Sequence, residues 1–117
     1  MSRRRRPKLK PKSKVWLELD GEPVFGDGKA RMLETIEQAG SLTAAAGALG
    51  MSYRGLWGRL REMERRLGMK LLARKTGGAG GGGAELTAEG RLLLDQYRRF
   101  RRGINQMVDK RFENVFK

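Results

Sequence analysis

Residues 41–74 decide the fold, and they read SLTAAAGALGMSYRGLWGRLREMERRLGMKLLAR. The first part of this stretch places apolar residues at spacings of i, i+3, i+4 and i+7, which is typical of one buried helix face. These residues are Leu42, Ala45, Ala46 and Leu49. Ser41 or Thr43 can cap this helix, and Gly50 is suited to end it. The pattern therefore predicts a short helix followed directly by a turn.

The second part of the stretch predicts a longer helix over residues 53–68, with Ser52 as its N-cap. Its apolar stripe follows spacings of 4, 3 and 4 residues and consists of Leu56, Leu60, Met63 and Leu67. The opposite face is basic and carries Arg54, Arg61 and Arg65, with Arg59 and Trp57 on its flanks. Two interpretations of Trp57 stay open: a wedge in the core, or an aromatic contact to a partner.

The flanking sequence predicts further elements. Residues 15–25 alternate apolar and polar side chains around a turn, which indicates two short strands with Val15, Leu17 and Leu19 inward. Residues 29–39 predict a helix that ends at Gly40. Residues 70–74 and 84–86 predict two more strands, and the loop over 76–83 between them holds six glycines. Thr87 then caps a long final helix that runs toward Phe112.

The final helix carries an apolar line with spacings of 4, 3, 4 and 3 residues, the a and d positions of a heptad repeat. The line consists of Leu93, Tyr97, Phe100, Ile104 and Met107. It can pack on the chain's own core or pair with the same helix of a second chain. We expect the second arrangement, a homodimer, because pairing hides an apolar edge that a single helix leaves exposed.

The order helix, short helix, turn, longer helix, strand, glycine-rich loop, strand is that of a winged helix-turn-helix. The predicted fold class is therefore mainly α with a small β wing and a long C-terminal dimerisation helix. We divide the chain into a disordered basic arm over 1–14, a winged domain over 15–86 and the dimerisation helix over 87–117. Within the domain the wing spans 70–86, with its glycine-rich tip at 77–83.

Charge is distributed unevenly along the chain. Its 26 Lys and Arg against 13 Asp and Glu give a net charge of +13, which indicates a polyanionic partner. Residues 1–14 carry eight basic side chains and no acidic one, and residues 53–76 carry eight against two. Residues 15–52 instead carry two basic and six acidic side chains. The N-terminal block is either a solvated tail or an arm that contacts phosphates, and we expect the arm.

The chain has neither Cys nor His, the residues that supply most metal ligands and general bases. We therefore predict no catalytic residue, no metal site, no cofactor and no enzyme. Glu62 and Glu64 are expected to make surface ion pairs instead of a catalytic pair. We also predict no membrane partner, since no apolar run approaches the roughly 18 residues that span a bilayer.

The spacing Leu56-x3-Leu60-x2-Met63-Glu64-x2-Leu67-Gly68-x2-Leu71-Leu72-x-Arg74 resembles the DNA-binding domain of LysR-type regulators. A fuller resemblance, over about residues 16–100, is to the N-terminal domain of the ModE family of molybdate-responsive repressors. Four stretches carry it: Gly40-Ser41-Leu42-Thr43-Ala44-Ala45-Ala46, Gly50-Met51-Ser52-Tyr53-Arg54, Thr76-Gly77-Gly78-Ala79-Gly80-Gly81-Gly82-Gly83 and Leu86-Thr87-x2-Gly90.

The resemblance implies a sequence-specific transcriptional regulator that binds double-stranded DNA at a two-fold symmetric operator as a homodimer. The longer helix would lie in the major groove, with the wing beside it. From the domain we expect DNA contacts by Ser41, Thr43, Ser52, Tyr53, Arg54, Trp57, Arg59, Arg61, Arg74, Lys75, Thr76, Gly77 and Gly78. From the arm we expect contacts by Arg3, Arg4, Arg5 and Arg6.

The resemblance also marks a departure. Full-length ModE regulators carry C-terminal molybdate-binding domains, and we expect this chain to be a single-domain member without them. A molybdate or tungstate effector stays open, with no residue spacing to support it. The alternative function is a non-specific architectural nucleic-acid-binding protein driven by the basic arm. For either function we expect a cytoplasmic, nucleoid-associated bacterial protein.

Overall fold

The structure is a computed structural model that describes residues 7–75 and 83–117. Its elements are β1 (Trp16–Leu19), β2 (Glu22–Gly26), α1 (Asp27–Ala39), α2 (Leu42–Leu49), α3 (Tyr53–Leu67), β3 (Leu72–Lys75), β4 (Gly83–Leu86) and α4 (Ala88–Val115). β1 pairs with β2 and β3 pairs with β4, both antiparallel. This arrangement confirms the predicted fold class, a mainly α chain with a small β wing and a long last helix.

Hydroxyl side chains cap three of the helices. The Oγ atoms of Ser41 and Ser52 accept hydrogen bonds from the amides of Ala44 (3.1 Å) and Gly55 (2.9 Å). Thr87 Oγ1 accepts from the Gly90 amide at 3.0 Å. Each bond satisfies a first-turn amide that has no partner inside its own helix. Ser41, and not Thr43, is thus the cap of α2.

The core lies where α1, α2 and α3 meet, and the beginning of α4 packs onto it. From α1 and α3 it takes side chains with no exposed surface: Leu33, Ile36, Leu56 and Leu60. Met63 is 1% exposed, whereas Leu67 is only half-buried at the edge of the core. The predicted stripe of α3 is therefore confirmed, with its last residue at the margin.

β1 departs from the predicted alternation. Leu17 packs against the core, but Leu19 is 48% exposed. The pairing register between β1 and β2 shifts between Leu17 and Glu18. A bulge of this kind turns the residues beyond it away from their expected face. The prediction that Leu19 points inward is wrong, because alternation assumes unbroken pairing.

Backbone contacts fix the wing against the helices. The Glu64 carboxylate accepts hydrogen bonds from the amides of Leu71 (2.8 Å) and Leu72 (3.2 Å), where β3 begins. The expectation that Glu64 makes a surface ion pair is therefore wrong, because its carboxylate is used by these two amides. At the other end of the wing, the Ala84 amide donates to Gly40 O at 3.1 Å.

Close approach of α4 to the wing requires a glycine. A Cβ at Gly90 would lie 2.6 Å from the carbonyl oxygen of Leu71, closer than real contacts allow. The Thr87 amide also donates to Leu71 O, at 2.9 Å. The beginning of α4 is thereby held at one position against β3.

Tyr97 belongs to the core of its own chain. It is 4% exposed, and its ring meets Phe25 edge-on with centroids 5.1 Å apart. Its hydroxyl donates to Asp27 Oδ1 at 2.5 Å. Burial, together with this hydrogen bond, raises the pKa of Tyr97 to about 12. Tyr97, which we expected at a dimer interface, is therefore buried within its own chain, and the interface itself stays a prediction.

The last residues of the predicted arm are attached to α4. Arg101 donates from Nη1 to Ser13 Oγ and from Nη2 to Ser13 O, both at 2.6 Å, and it pairs with Asp27 at 3.1 Å. Pro11 lies in an apolar groove with Met107 and Phe112. Ser13 is thus hydrogen-bonded to α4, while the disorder expected of the arm over residues 1–14 stays a prediction. Arg3, Arg4, Arg5 and Arg6 lie outside the described residues.

Candidate nucleic-acid interface

α3 has one face in the core and one face toward solvent. Leu56, Leu60 and Met63 hold it to the other helices, as their burial shows. The outward face carries Arg54 and Arg61. Seven positions are about two helical turns, so these two arginines lie on the same side of a helix that is fixed from behind.

The arginines of α3 fall into two groups by their partners. Arg65 pairs with Glu62 at 2.5 Å, and Arg66 pairs with the same carboxylate at 3.2 Å. The hydrogen bond from Arg65 holds the pKa of Glu62 below its ordinary value, with Arg66 adding to the effect. This confirms the surface ion pairs expected of Glu62. Arg54 and Arg59 have no ion pair or side-chain hydrogen bond with any described residue.

Trp57 fits the first of the two interpretations that the sequence left open, a wedge in the core, while a contact to a partner stays a prediction. Its side chain is half-buried and packs against the core. The guanidinium carbon of Arg61 lies 5.4 Å from the centre of its ring. Such stacking fixes the guanidinium over the ring while its N–H groups can still donate in their own plane. Trp57 thus positions Arg61 on the outward face.

The N-terminal ends of α2 and α3 bring several of the predicted hydroxyl side chains to the surface. Tyr53, in the first turn of α3, is 49% exposed, and Thr43 is exposed in the first turn of α2. Ser41 and Ser52 accept amide hydrogen bonds as caps, which leaves each hydroxyl proton able to donate. Helix N-termini with exposed donors favour anions such as phosphate.

Two more of the residues predicted to contact DNA lie on the wing. Arg74 and Lys75 are exposed on β3, opposite Ala84 and Gly83 of β4. A bridge between Ser41 and Gly83 ties the outer end of β4 to the N-cap of α2. The basic end of β3 therefore lies on the same side of the molecule as the α2 N-terminus. Thr76, Gly77 and Gly78 lie outside the described residues.

Sequence reasoning missed two basic residues near α3. Lys29 and Arg31, in the first turns of α1, line one groove together with Arg59. No spacing in the sequence indicates this, because the packing of α1 against α3 brings the residues together. A weak signal existed: these are the only two basic residues within 15–52.

The described residues contain neither a membrane-spanning helix nor a cluster of metal ligands. Over residues 7–75 and 83–117, no helix has the length and hydropathy needed to cross a membrane. The same residues contain no group of three or more acidic side chains placed to hold a metal ion.

The chain belongs to the lysR family of bacterial regulatory helix-turn-helix proteins, which residues 29–91 match. It is 30% identical over 103 residues to the molybdenum transport protein ModE of Azotobacter vinelandii, covering 88% of this chain and 38% of that protein. It is 39% identical over 77 residues to the DNA-binding transcriptional dual regulator ModE of Escherichia coli K12. The match covers 65% of this chain and 29% of that protein.

The fold is shared with solved structures of the same family. The crystal structure of the CbnR_DBD–DNA complex superimposes with a TM-score of 0.56 at 27% identity, covering 74% of this chain and 93% of that one. These findings confirm both resemblances inferred from the sequence. The chain spans about a third of the length of the two ModE relatives, 38% and 29%.

Proposed function

We propose that the chain is a sequence-specific, DNA-binding transcriptional regulator of the ModE type that binds a two-fold symmetric operator as a homodimer. One observation carries the proposal. α3 is fixed to the core by one face, while Arg54 and Arg61 stand on the other without a carboxylate partner among the described residues. An unneutralised basic helix face suits a polyanion that has a groove of matching width.

The dimensions of α3 fit the major groove of B-DNA. A helix with its side chains is about 10–12 Å across, and the major groove is about 12 Å wide. Arg54 lies in the first turn of α3, the part of a recognition helix that reaches base edges. The forked guanidinium of Arg54 or Arg61 matches O6 and N7 of guanine. Ser52 and Tyr53 would then donate to phosphates beside the groove.

The exposed apolar side chains of α4 support a homodimer. Buried residues of α4 end at Tyr97, and beyond it Phe100 is 47% exposed and Met107 is 65% exposed. Ile104, between them, is half-buried, and Leu93 packs partly on the chain's own core. We therefore place the interface from Phe100 onward. A symmetric pair of α4 helices would present two α3 helices to two half-sites.

The relatives agree with a regulator and give no reason to expect an enzyme. The Escherichia coli relative is named a DNA-binding transcriptional dual regulator, and the similar CbnR domain was crystallised with DNA. We expect this chain to act in the bacterial cytoplasm, on the nucleoid. The attachment of Ser13 to α4 argues against a free arm as the main source of DNA affinity.

Selection of duplexes from a random pool tests the proposal. We expect a two-fold symmetric site with half-sites about one helical turn apart, and footprinting should protect both halves. A duplex of the same composition in shuffled order is the matched control. Equal affinity for the selected and shuffled duplexes at moderate salt would instead indicate a non-specific architectural protein.

A further inference from the structure

A groove lies between the first turns of α1 and one side of α3, with a volume of about 820 Å³. We call it the α1–α3 groove. Buried methionines, Met32 and Met63, form part of its apolar floor. Trp57 and Arg61 do not line it, whereas Arg59 does. The groove is therefore on the side of α3 that faces away from the Trp57–Arg61 stack.

Charge in the groove is strongly unbalanced. Its lining contains five cations and one carboxylate: Lys29, Arg31, Arg54, Arg59, Arg66 and Glu62. Arg66 and Glu62 pair with each other at 3.2 Å. The other four cations have no ion pair and no side-chain hydrogen bond within residues 7–75 and 83–117. Clustered unpaired charges of one sign attract a counter-charge, so the groove suits an anion.

Glycines leave part of the groove wall without side chains. Gly28, Gly55 and Gly58 all line it. A Cβ at Gly28 or Gly58 would have no atom within 4 Å, so packing does not exclude a side chain at either position. The N-cap of α1, Gly26, provides no side-chain acceptor for the first-turn amides at this edge. Bare backbone and uncapped amides beside unpaired cations suit close approach of a phosphate.

We propose that the α1–α3 groove seats the sugar–phosphate backbone of one strand of a DNA duplex, with Lys29, Arg31 and Arg59 bound to its phosphates. This inference rests on the proposed function and adds a second contact surface to it. When α3 occupies the major groove, the two backbones border its two sides. One backbone meets the side that carries Trp57, Arg61 and the wing, and the other meets the α1–α3 groove.

The proposal separates two kinds of basic residue. Lys29 and Arg31 belong to α1 and not to α3, although they line the α1–α3 groove together with Arg54. They can reach phosphates without reaching base edges, so they contribute equally on every sequence. The apolar floor made by Met32 and Met63 suits the deoxyribose between phosphates.

The salt dependence of DNA binding tests the proposal, using the double variant Lys29→Ala/Arg31→Ala. Loss of two phosphate contacts should make the slope of log Kobs against log[salt] shallower by about 1.8. Affinity near 0.1 M salt should fall roughly 10- to 100-fold, by the same factor for the selected and shuffled duplexes. The charge-preserving variant Lys29→Arg/Arg31→Lys should keep the wild-type slope.

Removal of the same charge elsewhere is the control. Arg102→Ala/Lys110→Ala removes the same number of positive charges, but from α4. We expect it to change the salt slope by less than the α1 double variant does. The inference is overturned if the two double variants shift the salt slope equally. It is also overturned if the α1 variant keeps the wild-type slope while the wild type binds the selected duplex more tightly than the shuffled one. It is also overturned if the α1 variant changes the ratio of the two affinities. A wild type without any preference would overturn the proposed function itself.

Discussion

α3 and α4 are both amphipathic helices with arginines on their solvent faces, yet those arginines are used differently. On α4, Arg98 lies 2.8 Å from Glu34, and Arg99 lies 3.1 Å from Asp95. On α3 the outward Arg54 and the flanking Arg59 meet no carboxylate within the described ranges. Arg98 and Arg99 of α4 are thus used within the chain, whereas Arg54 and Arg59 of α3 are available to an external anion.

The apolar side chains of the two helices differ in how exposed they are to solvent. Those of α3 are buried or packed at the core margin, down to 0% exposure at Leu60. Those of α4 remain largely exposed beyond Tyr97, with Met107 at 65%. Exposed apolar surface favours a protein partner, and unpaired charge favours a polyanion. This difference supports the proposal that DNA binds α3 and that a second copy of the chain packs on α4.

The largest expected effect is on the buried stripe of α3. Leu60→Ala should lower the free energy of unfolding by about 2–5 kcal/mol, because it leaves a cavity where no surface is exposed. Phe100→Ala on α4 should change it far less at protein concentrations low enough to keep the chain monomeric. Urea denaturation at low concentration measures both. A larger loss for Phe100→Ala would break the distinction between the two helices.

The exposed line of α4 provides the second test. Phe100→Glu/Met107→Glu should raise the dimer dissociation constant by about 100-fold, corresponding to roughly 3 kcal/mol of lost apolar burial. Analytical ultracentrifugation measures the constant. Gln96→Glu, which adds charge to α4 without removing an apolar side chain, is the control. A wild type that stays monomeric at micromolar concentration would refute the assignment of α4 to a second copy.

Substitution of one glycine in each helix should have a smaller effect on stability, and the two substitutions can be compared directly. A Cβ at Gly58 of α3 or at Gly103 of α4 would have no atom within 4 Å. Each Gly→Ala change should therefore stabilise its helix by about 0.5–1 kcal/mol, seen as a higher midpoint of thermal unfolding. Gly58→Ala alone should weaken DNA binding, since its methyl group projects into the α1–α3 groove. Equal DNA affinity of the two variants would argue against DNA along that side of α3.

The smallest expected effect concerns pH and the core position of Tyr97. Its pKa is raised from 10.0 to about 12, so the folded state favours the protonated phenol. This contribution to stability is present below pH 10 and is lost as the pH rises toward 12. The wild type should therefore lose more stability between about pH 9 and about pH 11 than Tyr97→Phe does. Tyr53→Phe, at an exposed tyrosine, should behave like the wild type in urea unfolding.

Features that depend on local spacing were predictable from the sequence. The caps at Ser52 and Thr87 and the buried stripe of α3 follow from residue types at fixed offsets along one helix. The order of elements followed in turn from the glycines that separate them. The outward position of Arg54 and Arg61 followed from the same helical period.

Features that depend on packing between distant segments were not predictable. Glu64 binds amides at the beginning of β3, and Arg101 binds Ser13 from 88 residues away. On α4, periodicity does not show that Phe25 already covers Tyr97. Lys29 and Arg31 joined the candidate interface only through the packing of α1 beside α3.

The most direct test of the central claim, that α3 reads bases, compares dissociation constants on selected and shuffled duplexes for the wild type, Arg54→Ala and Arg99→Ala. We predict that Arg54→Ala loses about 1–3 kcal/mol, roughly 5- to 150-fold, on the selected duplex and much less on the shuffled one. Arg99→Ala, which removes an arginine paired on α4, should leave the ratio of the two constants unchanged. An equal loss on both duplexes for Arg54→Ala would contradict base reading by α3.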